Sequence, residues 1–142
     1  MKTISRLDLD DARELIAGAT AHSVEIGVPM CIAVTDESGQ LIAFERMEGG
    51  KVTSTTIAID KAFTAAAAKK ATHEYGVASQ PGAPAYGISS AIGGRLMVVG
   101  GGLPVHWDGH VVGGVGVSSG TPAQDQAVAQ AAIDAWQSSI AK

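Results

Sequence analysis

The sequence predicts an α+β domain built on an antiparallel sheet, and three observations carry that prediction. The chain has 142 residues, the length of one compact domain. Strand-like apolar runs fall in two hairpin-like blocks, over 30–46 and 96–118, and segments of helical character precede, separate and follow them. The resulting order is helix, two strands, one or two helices, three strands, helix. Such an order gives a mixed layered structure with antiparallel neighbours and argues against a doubly wound parallel sheet. Residues 1–142 are read as a single domain.

Each element has its own justification. Apolar or small residues recur at 9, 12, 15, 16, 19, 23 and 26, the three-and-four spacing of an amphipathic helix that Gly27 and Pro29 end. Met30 to Thr35 and Leu41 to Arg46 are rich in Ile, Val and Phe and are joined by a turn containing Gly39, which makes a hairpin. Ser54 to about Tyr75 is alanine-dense and strongly helical in propensity. Ala58, Ala62, Ala65, Ala66 and Ala68 would let that helix lie close to its neighbours. Pro81 and Pro84 prevent its continuation, and a short irregular or helical piece follows around Tyr86 to Ala91. Leu96 to Val99, Leu103 to Trp107 and His110 to Ser118 read as three strands, the last two joined by the tight turn Asp108-Gly109. Thr121-Pro122-Ala123-Gln124 has the form of a capping box with proline at the first helical position, opening a final helix to about Ser139.

Composition narrows the function. Alanine (24) and glycine (18) dominate while aromatics are 4%, so the apolar character is carried by small side chains, with about 40 large hydrophobic positions left for one core. The net charge is −4 and the basic residues are scattered apart from Lys69-Lys70, without interleaved aromatics, which disfavours nucleic acid. No apolar run approaches the roughly 20 residues needed to span a bilayer. The N-terminus lacks a secretion-type apolar run and Cys31 stands alone, so the expectation is a cytoplasmic protein without membrane or nucleic-acid partners.

Several residues are candidates for chemistry. Gly100-Gly101-Gly102-Leu103-Pro104 is either a plain tight turn or a turn whose backbone N–H groups contact an anionic ligand, and it lacks the context of a dinucleotide fingerprint. Lys61 lies on an alanine stripe, where an ammonium must snorkel to water or pair with an anion. In the second case it would reach a ligand carboxylate or transfer a proton. His22 lies on or beside the buried stripe of the first helix, as a satisfied core or interface residue or as an axial ligand. His106 and His110 flank the Asp108-Gly109 turn, but ligand spacing for a structural zinc is missing. His73 suits the negative end of its helix. Arg46, at a strand end, either faces water or adds a second cation to an anion site. Ser118-Ser119 lacks a nucleophile elbow and reads as polar strand termination.

Taken jointly, these motifs carry a resemblance. Asp60-Lys61-Ala62-Phe63-Thr64-Ala65, the Gly100 to Pro104 turn, and Asp108 to Ser118 followed by Gln124-Asp125 resemble the GlcG/HbpS-like family of haem-binding proteins, which is similar to the C-terminal domain of PduO-type corrinoid adenosyltransferases. Ile32 to Asp36, Gly39 and Phe44 to Met47 fit as well. The resemblance implies a five-stranded antiparallel sheet of profilin-like type with helices on both faces, and homo-oligomers. It also implies a small, anionic ligand, with haem as the cofactor of some members, and places His22 where some relatives carry an axial histidine. Lys61, Gly100, Gly101 and Gly102 match motif positions directly. His106 departs from the usual apolar residue, and Ser119 interrupts the common Ser-Gly ending.

Two functions follow as expectations. One is a homo-oligomeric binding protein holding haem or a related tetrapyrrole, with His22 as axial ligand and Lys61 or Arg46 pairing with propionates beside Gly101 and Gly102. The other is a catabolic-pathway hydrolase or isomerase acting on a small carboxylate, such as a muconate-like or keto acid. There Lys61 and the glycine turn would anchor the substrate and His106 would act as general acid or base.

Overall fold

A computed structural model describes residues 1–141. The elements run α1 (Leu9–Ile26), β1 (Cys31–Asp36), β2 (Leu41–Arg46), α2 (Ser54–Ala68), α3 (Thr72–Ala78), a 3-10 turn (Ile88–Ser90), α4 (Ala91–Gly94), β3 (Gly102–Trp107), β4 (His110–Ser118) and α5 (Pro122–Ile140). The strands form one antiparallel sheet in the order β2-β1-β4-β3. Helix α2 covers one face, and α1 and α5 pack on each other across the opposite face. Among the described residues, no helix is long and apolar enough to cross a membrane.

The expected sheet of five strands is corrected to four among the described residues. Leu96 to Val99 pairs with no strand; it runs beside α2, where the Met97 N–H donates to Thr64 Oγ1 at 3.0 Å, and the same hydroxyl donates to the carbonyl of the preceding Arg95 at 3.2 Å. The alanine-dense helix is also divided. Lys69 adopts a left-handed conformation (φ 56°) that closes α2, and α3 begins three residues later. The break brings Thr72 beneath β3, where its hydroxyl accepts the Gly102 N–H at 2.9 Å. Propensity alone could not see that tertiary hydrogen bond.

Both long outer helices start with reciprocal caps. Thr121 and Gln124 form the expected box at α5, and Asp8 and Asp11 form a second one at α1. Gly27 then ends α1 in the left-handed conformation.

The strand alternation divides the interior in two. Ile32, Val34, Val115 and Val117 face α1 and α5, joining Leu15, Ile16, Val128, Ile133 and Trp136 in the larger core. Cys31 and Ala33 face α2 with Ala58 and Ala62. On that side β4 contributes Gly114 and Gly116, and an added Cβ on Gly116 would overlap the Ala58 carbonyl and the Ala62 amide. The α2 backbone therefore rests directly on the sheet, the close packing that the alanines imply.

Gly116→Ala is expected to destabilise the protein by about 2–3 kcal/mol, because backbone rather than a movable side chain must yield. Gly27→Ala, which meets no neighbour and suffers only from its positive φ, should cost about 1 kcal/mol. Chemical denaturation of the two variants checks the ranking.

Candidate functional site

The chemistry-bearing residues fall in separate places. The first is the buried ammonium of Lys61, which neither snorkels nor points to an open site. Its Nζ donates to the Gly100 carbonyl at 2.9 Å, the Val117 carbonyl at 3.0 Å and Asp125 Oδ2 at 3.1 Å. Both side chains of the ion pair are nearly sealed, 2% and 3% exposed. Burial pushes the Lys61 pKa down, and the Asp125 charge and hydrogen bond oppose that shift. Asp125 lies in the first turn of α5, where its other oxygen accepts the Gly120 N–H at 2.9 Å.

The glycine turn is shaped around this pair. Gly101 has φ 128°, and a Cβ there would crowd the Val117 carbonyl, Lys61 Nζ and the Asp125 side chain. Gly102 lies against the α2 backbone at Lys61 and the side chain of Thr72. All three glycines are buried, and the Gly101 carbonyl accepts the Val117 N–H at 2.9 Å. The arrangement thus joins Lys61, Gly100 and Gly101 around an internal carboxylate, that of Asp125. The sequence pattern contained Asp125 as part of a motif, but nothing in the spacing of 61 and 125 identified it as the partner anion.

The remaining candidates lie apart. His22 is half-buried on α1, its ring 31% exposed, and its Nδ1 lies 3.1 Å from Glu25 Oε2. Arg46 ends the edge strand β2, exposed and opposite Cys31 in register. His106 lies four residues along β3 from Gly102, about 13 Å at the rise of an extended strand. It is exposed, like His110 across the turn. The constellation of Lys61, glycine turn and His106 is accordingly not gathered into one cleft. Among the described residues, no group of three or more His, Cys, Asp and Glu side chains could hold a metal ion.

Several other features escaped sequence reasoning. His73 buries its Nδ1 without a hydrogen-bond partner, beside a groove that also includes Val77, Val98 and Val99. Trp107 and Trp136 meet edge to face at 6.3 Å, and the indole N–H of Trp136 donates to Asp11 Oδ1 at 3.0 Å. The two tryptophans border a cavity of about 380 Å³ with Leu7 and Ile140. A larger cavity of about 510 Å³ lies at the β3–β4 hairpin beside the N-terminal segment.

The ion pair gives a quantitative expectation. Lys61→Ala should cost about 3–5 kcal/mol, since it strands a buried carboxylate, whereas Lys61→Met with Asp125→Leu should recover part of that loss. Recovery stays partial because the Gly120 N–H then lacks its acceptor. The depressed Lys61 pKa has a signed pH consequence. Between that value and the pKa of an unfolded lysine, the unfolded chain holds more protons, so this group makes stability rise with pH. Denaturation of wild type and Lys61→Met across alkaline pH should differ by that positive slope.

Comparison with known proteins places this geometry in a family. The family model described as "Haem degrading protein HbpS-like" matches residues 7–134. An uncharacterised 15.0 kDa protein of Citrobacter freundii, from the dhaT-dhaS intergenic region, is 39% identical over 94% of both chains. The corrinoid adenosyltransferase PduO of Salmonella typhimurium is 36% identical over 91% of this chain, which spans 38% of that enzyme's length. Among solved structures, the ORFY protein of Klebsiella pneumoniae superimposes with a TM-score of 0.94 at 36% identity, covering 96% of this chain and 94% of that one. A PduOC:haem complex superimposes at 0.88 with 36% identity, covering 92% and 94%. The shared fold and the breadth of the match make this chain a member of the HbpS-like, haem-binding family.

Proposed function

We propose that the protein binds haem or a related tetrapyrrole as a homo-oligomer, with His22 as the axial ligand. The observation that carries this reading is the hydrogen-bond pairing of Nδ1 with Glu25. A carboxylate on one ring nitrogen fixes the tautomer and makes the other nitrogen a better metal ligand, the usual arrangement for histidines that bind metals. Nε2 is thereby left as the coordinating atom on a half-exposed face of α1. The haem complex of a 36% identical neighbour supports the choice of ligand class.

The residues fit such a group in part. His22 and Glu25 supply an oriented imidazole, and Arg46 is exposed and free of any ion pair among the described residues, as a cation for a propionate must be. Lys61 does not fit: its ammonium is enclosed by three protein acceptors. Gly101 and Gly102 support the ion pair, and Arg46, in register with Cys31 on the α2 face, would meet a propionate only of a ring whose His22 belongs to another copy of the chain. His22 does not line the cavities at the β3–β4 hairpin, the tryptophans, His73 or Phe63. An apolar ring bound at His22 would need a second surface to cover it, which a second copy of the chain supplies in this reading. When bound, haem would contribute an iron centre; the protein contributes its orientation and the exclusion of water.

Titration of the purified protein with haemin should give a saturable Soret shift that His22→Ala abolishes. Glu25→Gln should weaken binding by about tenfold or more while leaving the fold intact. An identical shift in His22→Ala and wild type would refute the assignment.

A further inference from the structure

The chain's two tryptophans meet beside one carboxylate, about three helical turns along α1 from His22. We propose that the cavity they border binds a small alkylated ammonium ion, held against the indole rings and the charge of Asp11. The cavity measures about 380 Å³, within the usual range for small-molecule sites. Direct contacts tie its lining residues to one another. Trp107 and Trp136 lie 6.3 Å apart with their planes inclined at 72°. The Trp136 indole N–H donates to Asp11 Oδ1 at 3.0 Å. Leu7 and Val112 are joined as well, the Leu7 N–H donating at 3.0 Å to the carbonyl of Val112, the residue of β4 left unpaired by a bulge. Trp136 is 3% exposed and Trp107 50%, so the first indole closes the inner end and the second stands at the mouth.

The ligand class follows from what these groups offer. An indole face carries negative potential and attracts a cation within about 6 Å of the ring centroid. Two rings at a steep angle can flank such a cation on two sides. Leu7, Val112 and Ile140 supply apolar surface for alkyl groups. Asp11 supplies the countercharge, since among the described residues no lysine, arginine or histidine pairs with it. Each of its oxygens already accepts a hydrogen bond, one from Trp136 and one from the Asp8 N–H at 3.0 Å, so it acts on a ligand chiefly through charge. That favours an ammonium whose hydrogens are replaced by alkyl groups over one that must donate hydrogen bonds. Arg6 also lines the cavity but does not cancel Asp11. Its guanidinium donates twice to Glu37, at 2.7 and 2.5 Å, and lies 3.8 Å from Asp36.

Both tryptophans of the chain line this cavity, so intrinsic fluorescence reports on it directly. The protein is titrated, at constant ionic strength, with choline and with its neutral isostere, the alcohol that carries a tert-butyl group in place of trimethylammonium. Choline should give a saturable change in emission, and the isostere should bind about tenfold more weakly. Asp11→Asn, which keeps an oxygen for the Trp136 N–H, should weaken choline binding about tenfold. Trp107→Leu should weaken it about fivefold, read from the emission of Trp136. Asp10→Asn, at an exposed neighbour that pairs with Arg13 at 3.7 Å, should bind as wild type does, which separates a local charge from the general charge of the helix. The comparison of choline with its isostere uses the unmodified protein and decides the question whether or not Asp11→Asn folds. Absence of a saturable change, equal affinity for choline and the isostere, or equal weakening by Asp10→Asn and Asp11→Asn would overturn the proposal.

Discussion

The close approach of α2 to the sheet is the constraint on which the rest of the structure depends. Gly114 and Gly116 remove the side chains that would hold the helix away, and Ala58 and Ala62 do the same from the helix side. At such a separation a long side chain on the inner face of α2 has no route to solvent. Lys61 must therefore find its acceptors inside, and it finds two carbonyls and a carboxylate. The left-handed turn at Gly101 and the placement of Asp125 at the start of α5 follow from the same demand. What looked like a ligand-binding turn is in this sense the housing of a buried charge.

This arrangement separates structure from binding. The two most motif-rich segments, around Lys61 and the glycine turn, are spent on the interior, while His22 with Glu25 on α1 and Arg46 on the edge strand lie at the surface. A family motif can thus mark an architectural necessity as readily as an active site. The low aromatic content fits that division, because a core of valine, alanine and glycine closes tightly around itself.

Much of the fold was legible in the sequence. Periodicity delimited α1, the Asp108-Gly109 turn fixed the β3–β4 hairpin, and Thr121 to Gln124 opened α5 as a capping box should. Two features were not. The run from Leu96 to Val99 has strand composition, yet it joins no strand and its Met97 N–H donates to the Thr64 hydroxyl, which no local pattern announces. The break at Lys69 interrupts a segment of uniformly high helix propensity, because Thr72 is needed at Gly102. For the site, residue type identified Lys61 as a group that must find a partner but could not choose between solvent, ligand and Asp125. That choice is made by packing across 64 residues of sequence.

The ion pair also has a bearing on how the domain comes apart. Its four members, Lys61, Gly100, Val117 and Asp125, come from α2, the glycine turn, the end of β4 and the start of α5. Opening any one of these segments leaves a charge or a carbonyl unpaired in the interior, so local opening there is costly unless the others open with it. Segments distant along the chain are thereby bound into one cooperative unit. The exposed span around the 3-10 turn and α4 touches no part of that unit's hydrogen bonding and is free to open independently.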